Sequence, residues 1–168
     1  MQNVGIFYGS STGNTETVAE QVQKEFGEEN AQIFDVAEAK AGDIEKFENI
    51  IFGTSTWGIG DLQDDFEGFL SEISKANLAG KKVAIFGLGD QSSYSDSFAD
   101  AIGEIHENLE DKGCELIGET STDGYEYDET RAEVDGQFVG LVLDEENQSD
   151  LTNERITNWV GQLKNKFN

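Results

Sequence analysis

Residues 4–26 of the chain read VGIFYGSSTGNTETVAEQVQKEF. The apolar run Val4–Tyr8 is typical of a strand that is covered on both faces, and Thr15–Phe26 carries its apolar residues at helical spacing. Between the two lies Ser10–Thr15, which holds four hydroxyl side chains, one amide and one glycine. The stretch therefore predicts a strand that turns through a polar loop into a helix, as in the first unit of an α/β fold.

Strand–helix alternation continues along the rest of the chain. Stripes of apolar residues at helical spacing separate short apolar runs, which predicts a parallel sheet with right-handed crossovers. We expect a single doubly wound five-stranded sheet with helices on both faces, including a short, weak helix near 42–47. The predicted strands are Val4–Tyr8, Ile33–Val36, Ile50–Gly53, Val83–Leu88 and a fifth formed by Leu116–Ile117 with a continuation at Phe138–Leu143.

A polar stretch between Gly118 and Phe138 interrupts the fifth strand. A loop of that length inside a compact fold is usually functional or flexible, and we interpret it as an insertion. Neither a linker nor a shift in composition marks a second unit elsewhere in the sequence. The 168 residues are therefore expected to form one domain, residues 1–168, that is large enough to bury a core.

Charge is the unusual part of the composition. Eleven Lys and Arg residues stand against 35 Asp and Glu residues, which gives a formal net charge of −24 at pH 7. Such a field repels nucleic acids and anionic membrane surfaces, and it favours partner proteins with basic surfaces. A proteome that is acidic throughout, as in a salt-adapted cell, is the alternative explanation of the charge.

The sequence also narrows the expected cellular setting. Cys114 is the only cysteine, so an internal disulfide is excluded and a reducing compartment is favoured. No apolar stretch approaches the roughly 18 residues that a membrane span needs, and no basic region precedes Val4 as in a signal peptide. We expect a cytoplasmic monomer without membrane insertion.

The Ser10–Thr15 loop is a candidate anion site. A phosphate there would meet free backbone N–H groups, the positive end of a helix and several side-chain donors. The loop contains no lysine or arginine, so binding would depend on neutral donors alone. An ordinary serine- and threonine-rich turn with a helix cap is the alternative.

Two later loops follow the third and fourth predicted strands, so we expect them at the same edge of the parallel sheet. Ligands of open α/β sheets bind at this edge, beyond the carboxyl ends of the strands. Residues 54–61 read TSTWGIGD, and residues 87–94 read GLGDQSSY. Trp57 and Tyr94 have little core to fill in such glycine-rich loops, and together they could sandwich a flat ring system. Aromatic side chains that only cover the end of the sheet are the alternative.

With these loops in place, the sequence resembles the flavodoxins, and among them the long-chain class. The resemblance covers essentially the whole chain. It implies the strand order 2-1-3-4-5, for which flavodoxins are themselves the type example, with FMN at the point where the order reverses. The matching segments are Ser10–Thr15, Thr56–Gly60, Gly87–Gln91 with Tyr94, Ser121–Tyr125, Phe138–Leu141 and Asp144–Ser149.

The resemblance implies a role for each loop. The first loop would hold the FMN phosphate, Trp57 and Tyr94 would stack on opposite faces of the isoalloxazine ring, and backbone groups of the other loops would meet the ring edge. Glu146 is an implied ribityl contact, and Asn14 stands where many relatives have a lysine. The implied cofactor-binding residues are Ser10, Ser11, Thr12, Gly13, Asn14, Thr15, Thr56, Trp57, Gly58, Ile59, Gly60, Leu88, Gly89, Asp90, Tyr94 and Glu146.

The implied function is low-potential one-electron transfer without a substrate of its own, mainly between the semiquinone and hydroquinone of FMN. Acidic residues near the loops, such as Asp61, Asp90 and Asp96, would disfavour the anionic reduced flavin. A peptide flip at Gly58, where glycine tolerates a positive φ, would stabilise the semiquinone. The implied partners are basic-surfaced redox proteins such as a ferredoxin/flavodoxin–NADP reductase, a photosystem or another low-potential acceptor enzyme.

Other functions fit the sequence less well. An FMN-dependent NAD(P)H:quinone oxidoreductase would need a nicotinamide site, and the chain has no second dinucleotide fingerprint. A phospho-acceptor receiver domain needs acidic residues after its first strand and an aspartate after its third, where this chain has Tyr8–Ser10 and Thr54–Thr56. The acidic run Asp61–Glu67 could ligate a metal, but carboxylates also favour the start of a helix, which is our interpretation.

Overall fold

The computed structural model describes residues 3–57 and 59–167. Its helices are α1 (Asn14–Phe26), α2 (Ala41–Glu45), α3 (Asp64–Lys75), α4 (Asp100–Leu109) and α5 (Thr152–Lys164), the last preceded by a 3-10 turn at Ser149–Leu151. Its strands are β1 (Val4–Tyr8), β2 (Ala31–Asp35), β3 (Asn49–Trp57), β4 (Asp61–Leu62), β5 (Lys82–Leu88), β6 (Glu115–Leu116), β7 (Thr120–Ser121), β8 (Glu133–Val134), β9 (Gln137–Phe138) and β10 (Leu141–Leu143).

A parallel sheet in the order β2-β1-β3-β5-β10 lies at the centre of the fold. This order confirms the predicted doubly wound arrangement, in which the chain winds outward in both directions from β1 and β3. In the register of the central strands, Tyr8 pairs with Gly53 and Gly53 pairs with Phe86. The three central strands therefore run toward the same edge of the sheet, where β1 ends first and β3 extends furthest.

The third strand is longer than predicted. It runs through Trp57 rather than ending at Gly53, because the short strand β4 folds back beside its last residues. In that antiparallel pairing Thr56 lies opposite Leu62, and Trp57 lies opposite Asp61. Trp57 is therefore held at the end of a strand, where the sequence predicted a loop.

The fifth position in the sheet is filled by two separate segments. Strand β6 pairs with the first residues of β5, and β10 pairs with its last residues. The chain between them forms a small antiparallel sheet in the order β7-β9-β8. Phe138 belongs to this small sheet, so the predicted continuation at Phe138–Leu143 was wrong at its start: the strand resumes at Leu141. That the intervening segment is an insertion relative to other proteins stays a prediction.

Phe138 leaves the central sheet because it packs in an aromatic cluster. Its ring is fully buried and meets Phe98 at 6.2 Å and Tyr125 at 4.9 Å between centroids. The Tyr125 hydroxyl donates to the carbonyl of Val142 at 2.5 Å, which ties this cluster to β10. Arg155 lies over the Tyr125 ring at 4.1 Å from its centroid, a favourable cation–π distance.

The core has two parts, one on each face of the central sheet. One part, rich in phenylalanine, packs α2, α3 and α4 against the sheet. The other packs α1 and α5, and its largest side chain is Trp159, which is 1% exposed and donates from Nε1 to the carbonyl of Gly118 at 2.9 Å. Among the described residues, no helix is long and apolar enough to cross a membrane.

Substitution of Gly53 tests how tightly β3 packs against the Phe86 ring of β5. A Cβ at this position would lie 2.0 Å from Cζ of Phe86, so Gly53→Ala forces the buried ring to move. We expect the free energy of unfolding to fall by about 1–3 kcal/mol, as for other overpacked cores. Denaturant unfolding followed by circular dichroism measures the change.

Gly161→Ala is the matched control. Gly161 lies on the exposed side of α5, and a Cβ there meets nothing within 4 Å. The higher helix propensity of alanine should raise the free energy of unfolding by up to about 1 kcal/mol. Equal effects of the two alanines would contradict the packing described for Gly53.

Alkaline pH should destabilise the protein through Tyr125. Burial raises the pKa of Tyr125 to about 12, whereas the unfolded chain keeps the ordinary value near 10. The resulting stabilisation is complete below pH 10 and is lost as the pH rises from 10 to 12. Tyr125→Phe should cost about 1 kcal/mol near neutral pH, for the lost hydrogen bond, and should decline less steeply above pH 10. Urea unfolding at a series of pH values compares the two slopes, and identical slopes would refute the assignment.

Candidate functional site

A cleft lies at the edge of the sheet where β1, β3, β5 and β10 end. It brings together the three loops that the sequence singled out and adds the turn that follows β10. Trp57 and Tyr94 both line it, and their side chains remain 40% and 44% exposed. The lining residues are Thr12, Asn14, Ser55, Thr56, Trp57, Leu88, Gly89, Asp90, Tyr94, Glu145 and Glu146.

The first loop is a tight turn that ends at Gly13. Gly13 has a φ of 92°, in the left-handed region that favours glycine, and the helix α1 begins at the next residue. The N–H of Gly13 donates to Oγ of Ser10 at 3.0 Å, and no described group accepts from the amides of Ser11, Thr12 or Asn14. The loop therefore presents unpaired backbone donors at the start of a helix, as an anion site requires.

Gln63 connects this loop to the start of α3. Its side chain is 1% exposed, and its Nε2 donates to Oγ of Ser11 at 3.0 Å. Its Oε1 accepts from the N–H of Phe66 at 3.0 Å and so caps the helix. Asp64 and Asp65 stand in the first turn of the same helix, which confirms the interpretation of these residues as a helix start, whereas Asp61 lies in β4 instead.

The second loop is held against the start of α4. Oγ1 of Thr56 accepts from the N–H of Ala101 at 3.2 Å, which gives that helix end a partner. Gly60 has a φ of 87°, and a Cβ there would lie 2.8 Å from a carboxylate oxygen of Asp100. Ile59 is 86% exposed at the rim, and Gly58, where the peptide flip is expected, lies outside the described residues.

The third loop is folded around the carboxylate of Asp90. Oδ1 of Asp90 accepts from the N–H groups of Ser92 and Ser93 at 3.1 and 3.0 Å, and its carbonyl accepts from the N–H of Tyr94. Burial alone would raise the pKa of Asp90, but the hydrogen bonds from Ser93, Asn147 and Ser92 outweigh it and lower the pKa. Asp90 therefore stays charged beside the cleft while it shapes the turn that carries Tyr94.

A second carboxylate, Asp144, joins the third loop to the turn after β10. It is fully buried, and its Oδ2 accepts from both the N–H and the Nε2 of Gln91, at 3.0 and 2.8 Å. Its Oδ1 accepts from the N–H groups of Glu146 and Asn147 at 3.1 and 3.0 Å. Asn147 completes the network, because its Nδ2 donates to both Asp144 and Asp90 at 2.9 Å.

The cleft is electronegative. Among the described residues that line it there is no lysine, arginine, histidine or cysteine, and three are carboxylates: Asp90, Glu145 and Glu146. The arrangement offers aromatic faces, hydroxyls and backbone donors, but no side-chain nucleophile with a base beside it. It suits a flat conjugated ligand whose anionic end is held by neutral donors.

Most of the residues implied by the sequence meet in this cleft. Nine of them line it, whereas Ser10, Ser11, Gly13 and Thr15 form or flank the first turn, and Ile59 and Gly60 lie beyond Trp57. Ser55 and Glu145 also line the cleft and were not predicted. Two signals in the sequence could have found them. Ser55 lies two residues before Trp57 and so shares its face of the strand, and Glu145 belongs to the acidic run 144–146 that contains Glu146.

Comparison with known proteins places the chain in one family. The sequence model of the family described as Flavodoxin matches residues 6–159. A flavodoxin of Nostoc sp. is 47% identical over 166 residues, covering 99% of this chain and 98% of its own, and a flavodoxin of Helicobacter pylori is 44% identical over 167 residues, covering 99% of each. The crystal structure of Fusobacterium nucleatum flavodoxin bound to flavin mononucleotide superposes with a TM-score of 0.94 at 34% identity, covering 100% of both chains. The chain belongs to the flavodoxin family.

Proposed function

We propose that this chain is a low-potential electron carrier that binds FMN non-covalently in the cleft, as one FMN-binding domain in the cytoplasm. The observation that carries the proposal is the meeting of Trp57, Tyr94 and the unpaired donors of the first loop in one cleft. A similar flavodoxin binds FMN, as noted above. When bound, the flavin supplies one-electron chemistry between its semiquinone and hydroquinone states.

The first loop would hold the FMN phosphate. The hydroxyls of Ser10, Ser11, Thr12 and Thr15, the amide of Asn14 and the backbone N–H groups up to the start of α1 are its donors. Helix N-termini attract anions through the same unpaired N–H groups and through the helix dipole. Because Asn14 carries no charge, the phosphate would keep its negative charge without a neighbouring cation.

The aromatic side chains would hold the isoalloxazine ring. Offset stacking adds about 0.5–1.5 kcal/mol per aromatic pair beyond the burial of area, so Trp57 and Tyr94 together favour a flat ligand. Backbone groups of Gly58, Ile59, Gly89 and Asp90 would meet the ring edge, with Thr56 and Leu88 alongside and Glu146 near the ribityl chain. Gly89 leaves no room for a larger residue, because a Cβ there would lie 3.0 Å from the nitrogen of Ala99.

The charge around the cleft would keep the reduction potential low. Asp90, Glu145 and Glu146 line it, and the phosphate would add further negative charge. Negative charges within a few ångströms disfavour the anionic form of a bound group, here the fully reduced flavin. The protein would therefore make its cofactor a strong electron donor.

The same acidity favours partners with basic surfaces. A net charge of −24 steers positively charged proteins toward the chain and makes the association sensitive to salt. A nicotinamide-dependent flavoprotein reductase, a photosystem or a low-potential acceptor enzyme would meet this requirement. The chain would exchange electrons with them and would have no substrate of its own.

Absorption during stepwise reduction tests the proposal. The purified protein should bind one FMN, and reductive titration should pass through the long-wavelength absorption of a neutral semiquinone before the flavin bleaches. Absence of flavin binding, or reduction in one step without that absorption, would refute the proposal. Rapid direct turnover of a reduced nicotinamide with a quinone would instead favour an oxidoreductase.

Substitution of Asp144 tests the loops that hold the ring. In Asp144→Asn an amide NH2 replaces one of two oxygens that accept hydrogen bonds, which leaves buried donors of Gln91 or Asn147 without a partner. An unpaired buried donor costs about 1–3 kcal/mol, and the free protein avoids that cost by loosening these loops, so ordering them around FMN should raise the dissociation constant by roughly tenfold. The dissociation constant of riboflavin should rise to the same extent, because the network holds the loops around the ring and not the phosphate loop.

Asp43→Asn provides the matched control in a flavin fluorescence titration. Oδ2 of Asp43 accepts from the N–H of Lys40 at 2.9 Å in the turn before α2, outside the cleft. This variant should bind both flavins like the parent protein. Unchanged flavin affinity in Asp144→Asn would contradict the role assigned to the network.

A further inference from the structure

The orientation of the Gln63 amide is determined by its neighbours. The N–H of Phe66 can only donate, so the group that faces it at 3.0 Å must be the oxygen Oε1. Nε2 then faces Oγ of Ser11 at 3.0 Å and Oδ2 of Asp65 at 3.1 Å. A flipped amide would bring two oxygens together at Asp65 and leave the Phe66 donor without a partner, so only one orientation is favourable.

This orientation decides what Ser11 can donate. Its Oγ accepts a hydrogen bond from Gln63, so its own hydroxyl hydrogen remains available for another acceptor. The hydroxyl hydrogen of Ser10 is also available, because the Oγ of Ser10 accepts from the N–H of Gly13. Thr17 is the contrast: its hydroxyl donates to the carbonyl of Gly13 at 3.0 Å and is used within the helix.

Donor availability matters because the loop contains no cation. A phosphate can be held here only by hydrogen-bond donors, and a hydroxyl that donated to the protein would present lone pairs to the anion instead. Gln63 is buried, and both of its amide hydrogens and its oxygen have partners. It is therefore a fixed group, whereas Ser11 is exposed.

We propose that Gln63 is a positioning residue for phosphate recognition: its Nε2 donates to Oγ of Ser11 and offers that hydroxyl no acceptor, so that the Ser11 hydroxyl donates to the phosphate of the flavin nucleotide. This inference rests on the proposed binding of FMN and adds a residue from outside the phosphate loop to it. Gln63 acts through Ser11 and does not touch the ligand. It also links the loop to α3, so the two elements are placed together.

Gln63→Glu keeps the length of the side chain and reverses the hydrogen bond at Ser11, and it also places a carboxylate oxygen against Oδ2 of Asp65, which adds charge repulsion. The carboxylate still accepts from Phe66, but its second oxygen must now accept from Ser11, which withdraws the hydroxyl hydrogen from the phosphate. We expect the dissociation constant of FMN to rise by at least tenfold, while that of riboflavin, which lacks the phosphate, changes by less than about twofold. Fluorescence titration of the apoprotein with each flavin measures both constants.

Two further variants separate orientation from added charge and from misfolding. Gln63→Met carries no charge and leaves the Ser11 hydroxyl free to rotate. It should weaken the binding of FMN several-fold and leave the binding of riboflavin unchanged. In a Ser11→Ala background, Gln63→Glu should lose most of its effect on FMN, because the hydroxyl that it redirects is absent. Gln23→Glu is the control: its Nε2 donates to the carbonyl of Ala31, away from the cleft, and the preference for FMN should stay as in the parent.

Each outcome of these titrations is decisive. If the parent protein binds FMN no more tightly than riboflavin, the phosphate site fails and the role of Gln63 fails with it. If the parent prefers FMN and the Gln63 variants keep that preference, the proposed function stands and the inference is overturned. Equal losses of FMN and riboflavin affinity, or an undiminished effect of Gln63→Glu in the Ser11→Ala background, would also overturn it, because Gln63 would then act only on the fold or through its charge.

Discussion

The parallel register of β1, β3 and β5 is the constraint on which the rest of the structure depends. Tyr8, Gly53 and Phe86 are neighbours across the three strands, so all three strands run toward one edge of the sheet, where β3 extends furthest. Three loops that are far apart in sequence must then share one edge, and the reversal of strand order opens a space between them. The cleft follows from the sheet, and the loops only decide what it can bind.

If a phosphate is bound without a positively charged side chain, its affinity depends on how the hydrogen-bond donors are oriented. A lysine attracts a phosphate from any direction, whereas a hydroxyl helps only if its hydrogen points outward. In the proposed site, two buried polar groups would meet this need: Gln63 beside the first loop, and Asp144 between the third loop and the turn after β10. Such networks are stable only when every member is satisfied, and that same completeness makes them rigid.

The sequence predicted what depends on neighbouring residues. The first strand, the turn at Ser10–Thr15 and the helix after it follow from local pattern, and the two aromatic residues of the cleft were recognisable by their glycine-rich surroundings. The roles of Gln63 and Asp144 could not be recognised in this way, because their partners Ser11 and Gln91 lie 52 and 53 residues away in the sequence. The end of β3 and the placement of Phe138 were missed for the same reason, since pairing with β4 and packing against Phe98 are tertiary contacts.

The positions of the two tryptophans make the chain its own spectroscopic reporter. Trp57 is at the mouth of the cleft and partly in water, whereas Trp159 is enclosed on the α1–α5 face with its indole N–H bonded to a carbonyl. The first side chain would therefore respond to a ligand that fills the cleft, and the second would respond to loss of the core. Loss of ligand and loss of fold would therefore change the emission in different ways, and a single fluorescence experiment can follow both.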